Sequence, residues 1–130
     1  MEFTTALFSL GLITVLMLNV EVLYTYATQG LGFGMASNRP KAEFSALAQR
    51  IKNAYGNQVE SMTYTMPVLA AAALSGLEHS GAETAALVLV LGRAIYGPLY
   101  YSGIPYARLV GFGMATLSTI YLLAILALNF

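Results

Sequence analysis

Apolar residues gather in four long runs along this chain, and the polar residues between the runs are few and grouped. A helix that crosses a membrane needs about 20 mostly apolar residues. Four segments meet that length: 6–27, broken only by Asn19 and Glu21 near its end, then about 57–77, 83–101 and 106–130. The pattern predicts an all-α integral membrane four-helix bundle forming a single domain over residues 1–130, with 28–56 as a loop and helix extension outside the bilayer. There are no low-complexity tracts, long repeats or interdomain linker.

The second run is preceded by the polar stretch AQRIKNAYGNQVESMTYTMP, residues 48–67. Pro40 after Ser37 and Asn38 suits a first helical turn, and between Lys41 and Met66 only Gly56 weakens a helix. A helix from Pro40 to Leu74 would be roughly 50 Å long against about 30 Å of hydrocarbon, so about 20 Å would project from the bilayer. Pro67 is expected to bend it. Arg50, Asn53, Asn57, Glu60 and Tyr64 recur at spacings of three and four, which places them within roughly 80° on one face. In the third run, Leu89, Arg93, Tyr96 and Tyr100 share a face in the same way.

A charged side chain in hydrocarbon costs about 2.5 to 3.5 kcal/mol even on gentle scales, so it needs a partner. Glu60 and Arg93 lie at compatible depths, and the expectation is an ion pair between them, with Asn57 and Tyr96 in its hydrogen-bond network. Such a pair serves either helix register or function. Arg108 follows the SGIPYA turn at the mouth of the fourth run, where a guanidinium either snorkels to headgroups or faces a bound anion or thiolate.

Charge distribution sets the expected orientation. Arg39, Lys41, Arg50 and Lys52 lie between the first two runs, whereas Glu78, His79 and Glu83 lie between the second and third. Excess positive charge marks cytoplasmic loops, so 28–56 and 102–105 are expected in the cytoplasm and both termini outside. MEFTT has no basic n-region and the run behind it has no evident cleavage site, which reads as a retained span rather than a signal peptide.

Composition removes several classes of function. With 58% hydrophobic and 9% charged residues, the chain is too apolar for an ordinary soluble domain. It has no cysteine, a single histidine and zero formal charge, so disulfides, thiolate metal sites, a histidine triad and nucleic-acid binding are not expected. Any thiol chemistry would need a thiol from outside. GLGFG, residues 30–34, lacks the lysine of a phosphate loop and follows a membrane helix, so it reads as a flexible turn. Gly111 and Ala115 form a small-xxx-small pair suited to close helix packing.

With these residues in view, the chain resembles the MAPEG family, the membrane-associated proteins in eicosanoid and glutathione metabolism. Arg50 followed by the Asn-x-x-Glu of Asn57 and Glu60 carries the resemblance, together with GRAIYGPLYYSGIPYAR and its Arg93, Tyr100 and Arg108. The resemblance implies a homotrimer in the lipid bilayer that binds glutathione in a polar, cytoplasm-facing cavity and takes a lipophilic small molecule from the membrane. It implies cofactor contacts from Arg50, Asn53, Asn57, Glu60, Arg93 and Tyr96, catalytic roles for Arg108 and Tyr100, and no metal. The reaction so implied is a glutathione-dependent transferase or peroxidase reaction on lipophilic electrophiles, with the thiolate stabilised by Arg108. The chain departs from the family pattern at Asn53 and Gly56, where basic residues are common, at GLGFG, which replaces a basic cluster, and at Leu109, which argues against the prostaglandin synthase.

Two other readings stay open on the sequence. One is a non-catalytic lipid-binding scaffold of the same family. The other is a small proton-coupled multidrug exporter using Glu21, although Glu21 sits toward the end of its run rather than the middle.

Overall fold

The computed structural model of the chain describes residues 1–38 and 44–130. They form five helices and no strand: α1 (Phe3–Gln29), α2 (Leu31–Met35), α3 (Ala46–Leu74), α4 (Ser80–Tyr101) and α5 (Arg108–Asn129). α1 packs on α3 and α4, and α5 packs on α4 and α3, while α1 and α5 do not meet. The pair α3 and α4 is therefore the centre of a four-helix bundle, and α2 is a short appendage on α1.

Helices α1, α4 and α5 are long and apolar enough to cross a membrane. α3 has 29 residues but concentrates its polar side chains in its N-terminal half, so it does not qualify on composition. Large apolar side chains cover the outside of α1 and α5, among them Phe8, Leu12, Leu16, Leu23, Leu117, Ile120 and Leu123. A surface so rich in exposed leucine suits hydrocarbon as solvent.

Local chemistry explains where each helix starts, and in three places it corrects the sequence-based expectation. α3 starts at Ala46, because the Ser45 backbone is extended and its Oγ accepts the Ala48 N–H at 3.1 Å. A helix running unbroken from Pro40 is thereby excluded; Pro40 and Lys41 themselves lie outside the described residues. GLGFG is not a loose turn: Gly30, at φ 89°, breaks the chain between α1 and α2, and Gly34 lies flat against the Tyr26 ring, leaving no room for a side chain. α4 starts at Ser80, earlier than expected, because His79 Nδ1 caps it by accepting the Ala82 N–H at 3.1 Å.

Two close fits hold the bundle. Leu10, Leu69, Leu89, Leu122 and the alanines Ala6, Ala72 and Ala86 form the main core where the four long helices converge. α4 and α5 then approach backbone to backbone at Gly92 and Gly111. A methyl group at Gly111 would stand 2.6 Å from the Gly92 carbonyl oxygen, and one at Gly92 would stand 2.8 Å from that of Gly111. Only glycine permits this approach, which brings the start of α5 against the polar end of α4.

Candidate functional site

The buried stripe of α3 is Ile51, Ala54, Gln58, Ser61, Thr65, Leu69 and Ala72. Gln58 is fully enclosed and faces Arg93, itself only 1% exposed, across the α3–α4 interface. Arg93 Nε donates to Gln58 Oε1 at 2.8 Å, and Arg93 Nη1 donates to Asn57 Oδ1 at 3.1 Å. Gln58 Nε2 donates to Thr14 Oγ1 at 3.0 Å, and that hydroxyl donates to the Leu10 carbonyl at 2.8 Å. The Arg93 Nη2 group is buried without a hydrogen-bond partner among the described residues.

This arrangement corrects the expected Glu60–Arg93 ion pair. Glu60 is exposed, and Arg93 takes neutral amide acceptors instead. The reason is rotational: Glu60 stands about 200° around α3 from Gln58, so the two cannot both face α4. Gln58 lies off the charged stripe, so the helical spacing of charges does not point to it. Its signal was a stripe of apolar and small residues with one amide at its centre.

Above Arg93 a column of rings leads to Arg108. The Arg93 guanidinium carbon lies 4.3 Å from the centroid of Tyr96, the rings of Tyr96 and Tyr100 meet edge to face at 5.7 Å, and the Arg108 guanidinium carbon lies 4.7 Å from the Tyr100 centroid. Arg108 also stands beside the Tyr96 hydroxyl. Cations on aromatic faces gain about 0.5 to 2 kcal/mol, most when water is excluded.

An open hollow of about 410 Å³ lies between α3, α4 and the start of α5, lined by Lys52, Asn53, Gly56, Asn57, Glu60, Tyr96, Tyr100 and Arg108. Its size falls within the range of roughly 300 to 1,000 Å³ usual for small-molecule sites. Six of the residues singled out in the sequence thus share one wall: Asn53, Asn57, Glu60, Tyr96, Tyr100 and Arg108. Arg93 is buried beneath it. Arg50 stands apart: its Nε donates to the Tyr101 carbonyl at 3.2 Å at the end of α4, and it lines a neighbouring hollow that shares Tyr100 and Arg108. Glu21 lines a separate cleft at the start of α3 with Tyr24, Phe44 and Lys52, and is on the wall of neither hollow. The described residues contain no cluster suited to a metal ion.

Arg108 is the first residue of α5. The helix has no acidic residue in its first turn and no side-chain cap from Ala107; the Leu109 and Val110 N–H groups donate instead to the Tyr106 and Ala107 carbonyls, at 3.0 and 3.2 Å. A family model described as the MAPEG family matches residues 3–128. The chain belongs to the MAPEG family. Membership makes it a membrane protein of the eicosanoid and glutathione metabolism family. Neither the comparison with curated proteins nor that with solved structures gave a match. Within this MAPEG chain, Asn57 and Glu60 reach the hollow from α3, Tyr96 and Tyr100 from α4, and Arg108 from α5.

Proposed function

We propose that this MAPEG protein is a membrane-bound, glutathione-dependent transferase or peroxidase acting on lipophilic electrophiles, with Arg108 as the cation that stabilises the glutathione thiolate. The observation that carries the reading is the position of Arg108. It occupies the N-terminal, positive end of α5, rests on Tyr100, and lines the polar hollow. A guanidinium at the start of a helix favours an anion there, and the thiolate is the reactive form of a thiol.

The other residues suit the rest of the tripeptide. Glu60 accepts from the ammonium group, the amides of Asn53 and Asn57 meet its peptide groups, and Lys52, with Arg50 at the margin, offsets a carboxylate. Tyr100 and Tyr96 hold Arg108 in place and give the sulfur hydroxyl neighbours. The electrophile arrives from the bilayer. In transfer, the sulfur lone pair forms a C–S bond and the leaving group departs with its electron pair. With a hydroperoxide, the sulfur takes the terminal oxygen as the O–O bond breaks, an alcohol is released, and a second glutathione forms the disulfide as that oxygen leaves in water.

In this reading α3 makes a fourth crossing, its end bearing Arg50 and Lys52 lies on the cytoplasmic side with both termini opposite, and three copies assemble around the sites. The test is titration of the detergent-purified protein with glutathione, followed by conjugation of chlorodinitrobenzene, for wild type and Arg108→Ala. Saturable binding, with turnover reduced by about 10²-fold or more in the variant, is the expected result. Absence of binding at millimolar glutathione would overturn the proposal.

A further inference from the structure

We infer that Gln58 is the positioning residue of this site, clamping Arg93 from the dry interior and, through Tyr96 and Tyr100, setting where Arg108 stands. Its effect on thiol chemistry rests on the glutathione-dependent reading above; its effect on the position of Arg108 does not.

The argument begins with the direction of the hydrogen bonds. Thr14 has one hydroxyl proton, and it goes to the Leu10 carbonyl at 2.8 Å. Toward Gln58 the same oxygen can only accept, so the Gln58 amide must present its NH₂ to Thr14 and its carbonyl oxygen to Arg93. Turning the amide over would set NH₂ against a guanidinium and leave two buried donors unpaired. The orientation of Gln58 is thus fixed from α1.

Asn57 also holds Arg93, but from the half-buried wall of the hollow, where water and ligands compete for its amide. Gln58 has no exposure at all. It therefore governs the guanidinium plane, and that plane is the floor on which Tyr96 lies at 4.3 Å. Tyr96 is 1% exposed and meets Tyr100 edge to face, and Tyr100 carries Arg108. Each layer is set by the one beneath, since packed side chains shift between discrete arrangements rather than deform freely.

The experiment uses the full chain with ¹⁵N-labelled arginine in detergent micelles at mildly acidic pH, reading the guanidinium Nε–H resonances of Arg93 and Arg108, each assigned by its lysine variant. Gln58→Met is expected to shift both resonances, and Gln58→Glu, which keeps an acceptor toward Arg93, to bring that of Arg108 back. Should Gln58→Met not fold, Thr14→Val loosens the same amide while leaving Gln58 and Arg93 in place, and a smaller shift of both resonances is expected. In glutathione-binding protein, Gln58→Met should raise the pH at which the bound thiol ionises, lowering thiolate at neutral pH by about tenfold. A purely structural Gln58 would lower Tm and move Arg93 alone. An unmoved Arg108 resonance in folded Gln58→Met or Thr14→Val overturns the inference. A wild type that binds no glutathione overturns the proposed function instead, and leaves the resonance test in force.

Discussion

Gln58 and Arg93 meet through a 2.8 Å hydrogen bond from Nε to Oε1 inside the α3–α4 interface, with neither side chain open to solvent. A cation there is tolerated because two amides and a ring face surround it. Removing one partner leaves a buried charge half satisfied, which costs more than removing both. Gln58→Leu is therefore expected to destabilise by about 2 to 4 kcal/mol. Gln58→Leu with Arg93→Met should cost less than the sum of the single changes. Thermal unfolding of all three variants in one detergent measures the coupling, and strict additivity would count against the bond.

Glu60 provides the contrast. It is exposed and makes no pair with Arg93, so Glu60→Gln should change stability by no more than about 0.5 kcal/mol. In the proposed site the same change removes the negative charge that faces the glutathione ammonium and should weaken glutathione binding several-fold. Calorimetric titration beside a melting curve separates the two effects.

The glycine contact between α4 and α5 has no slack. Gly111→Ala and Gly92→Ala each push a methyl into facing backbone and should cost about 1 to 3 kcal/mol. Gly113→Ala, with open space around the added methyl, should be neutral or stabilising by up to about 1 kcal/mol. Melting temperatures of the three alanine variants, compared directly, check the ranking.

Tyr100 supports Arg108 by its ring face rather than by its hydroxyl, so Tyr100→Phe should retain the position of the cation and Tyr100→Leu should release it. The sign of the pH effect follows. A cation held beside the sulfur favours the thiolate and lowers the pH at which the bound thiol ionises, so activity in wild type rises at lower pH than in Tyr100→Leu. Tyr100→Phe should follow the wild-type profile more closely than Tyr100→Leu does. The pH dependence of glutathione turnover in the two variants decides this.

The start of α3 depends on one hydroxyl. Ser45→Ala removes the acceptor for the Ala48 N–H and should weaken the first turn by about 1 kcal/mol. Hydrogen exchange of the amides at 46–49 should speed up by about fivefold, while exchange around Leu69 stays unchanged.

Much of the fold was legible in the sequence because hydrocarbon is a demanding solvent. The long apolar runs, the helices they form and the polar band on α3 follow from the need to satisfy backbone groups within each helix. Helix ends were less legible. Ser45 and His79 act as caps through side-chain geometry, and the start of α3 set by Ser45 overrides an expectation built on Pro40.

The candidate site divides in the same way. Asn53, Asn57, Glu60, Tyr96, Tyr100 and Arg108 could be named from helical spacing and family likeness, since residues three and four apart share a face whatever surrounds them. Which residue Arg93 would choose could not. Depth along the membrane placed Glu60 within reach, and helical spacing does not say which face of α3 turns toward α4. The choice depended on how α3 is turned against α1 and α4, a rotation set by the close packing of Leu10, Ala54, Leu69 and Leu89. By itself the sequence determined a polar hollow in a helical membrane protein. Only the tertiary packing turned Gln58 rather than Glu60 toward Arg93, because a single orientation of α3 both fills the apolar core and meets the buried cation with an acceptor.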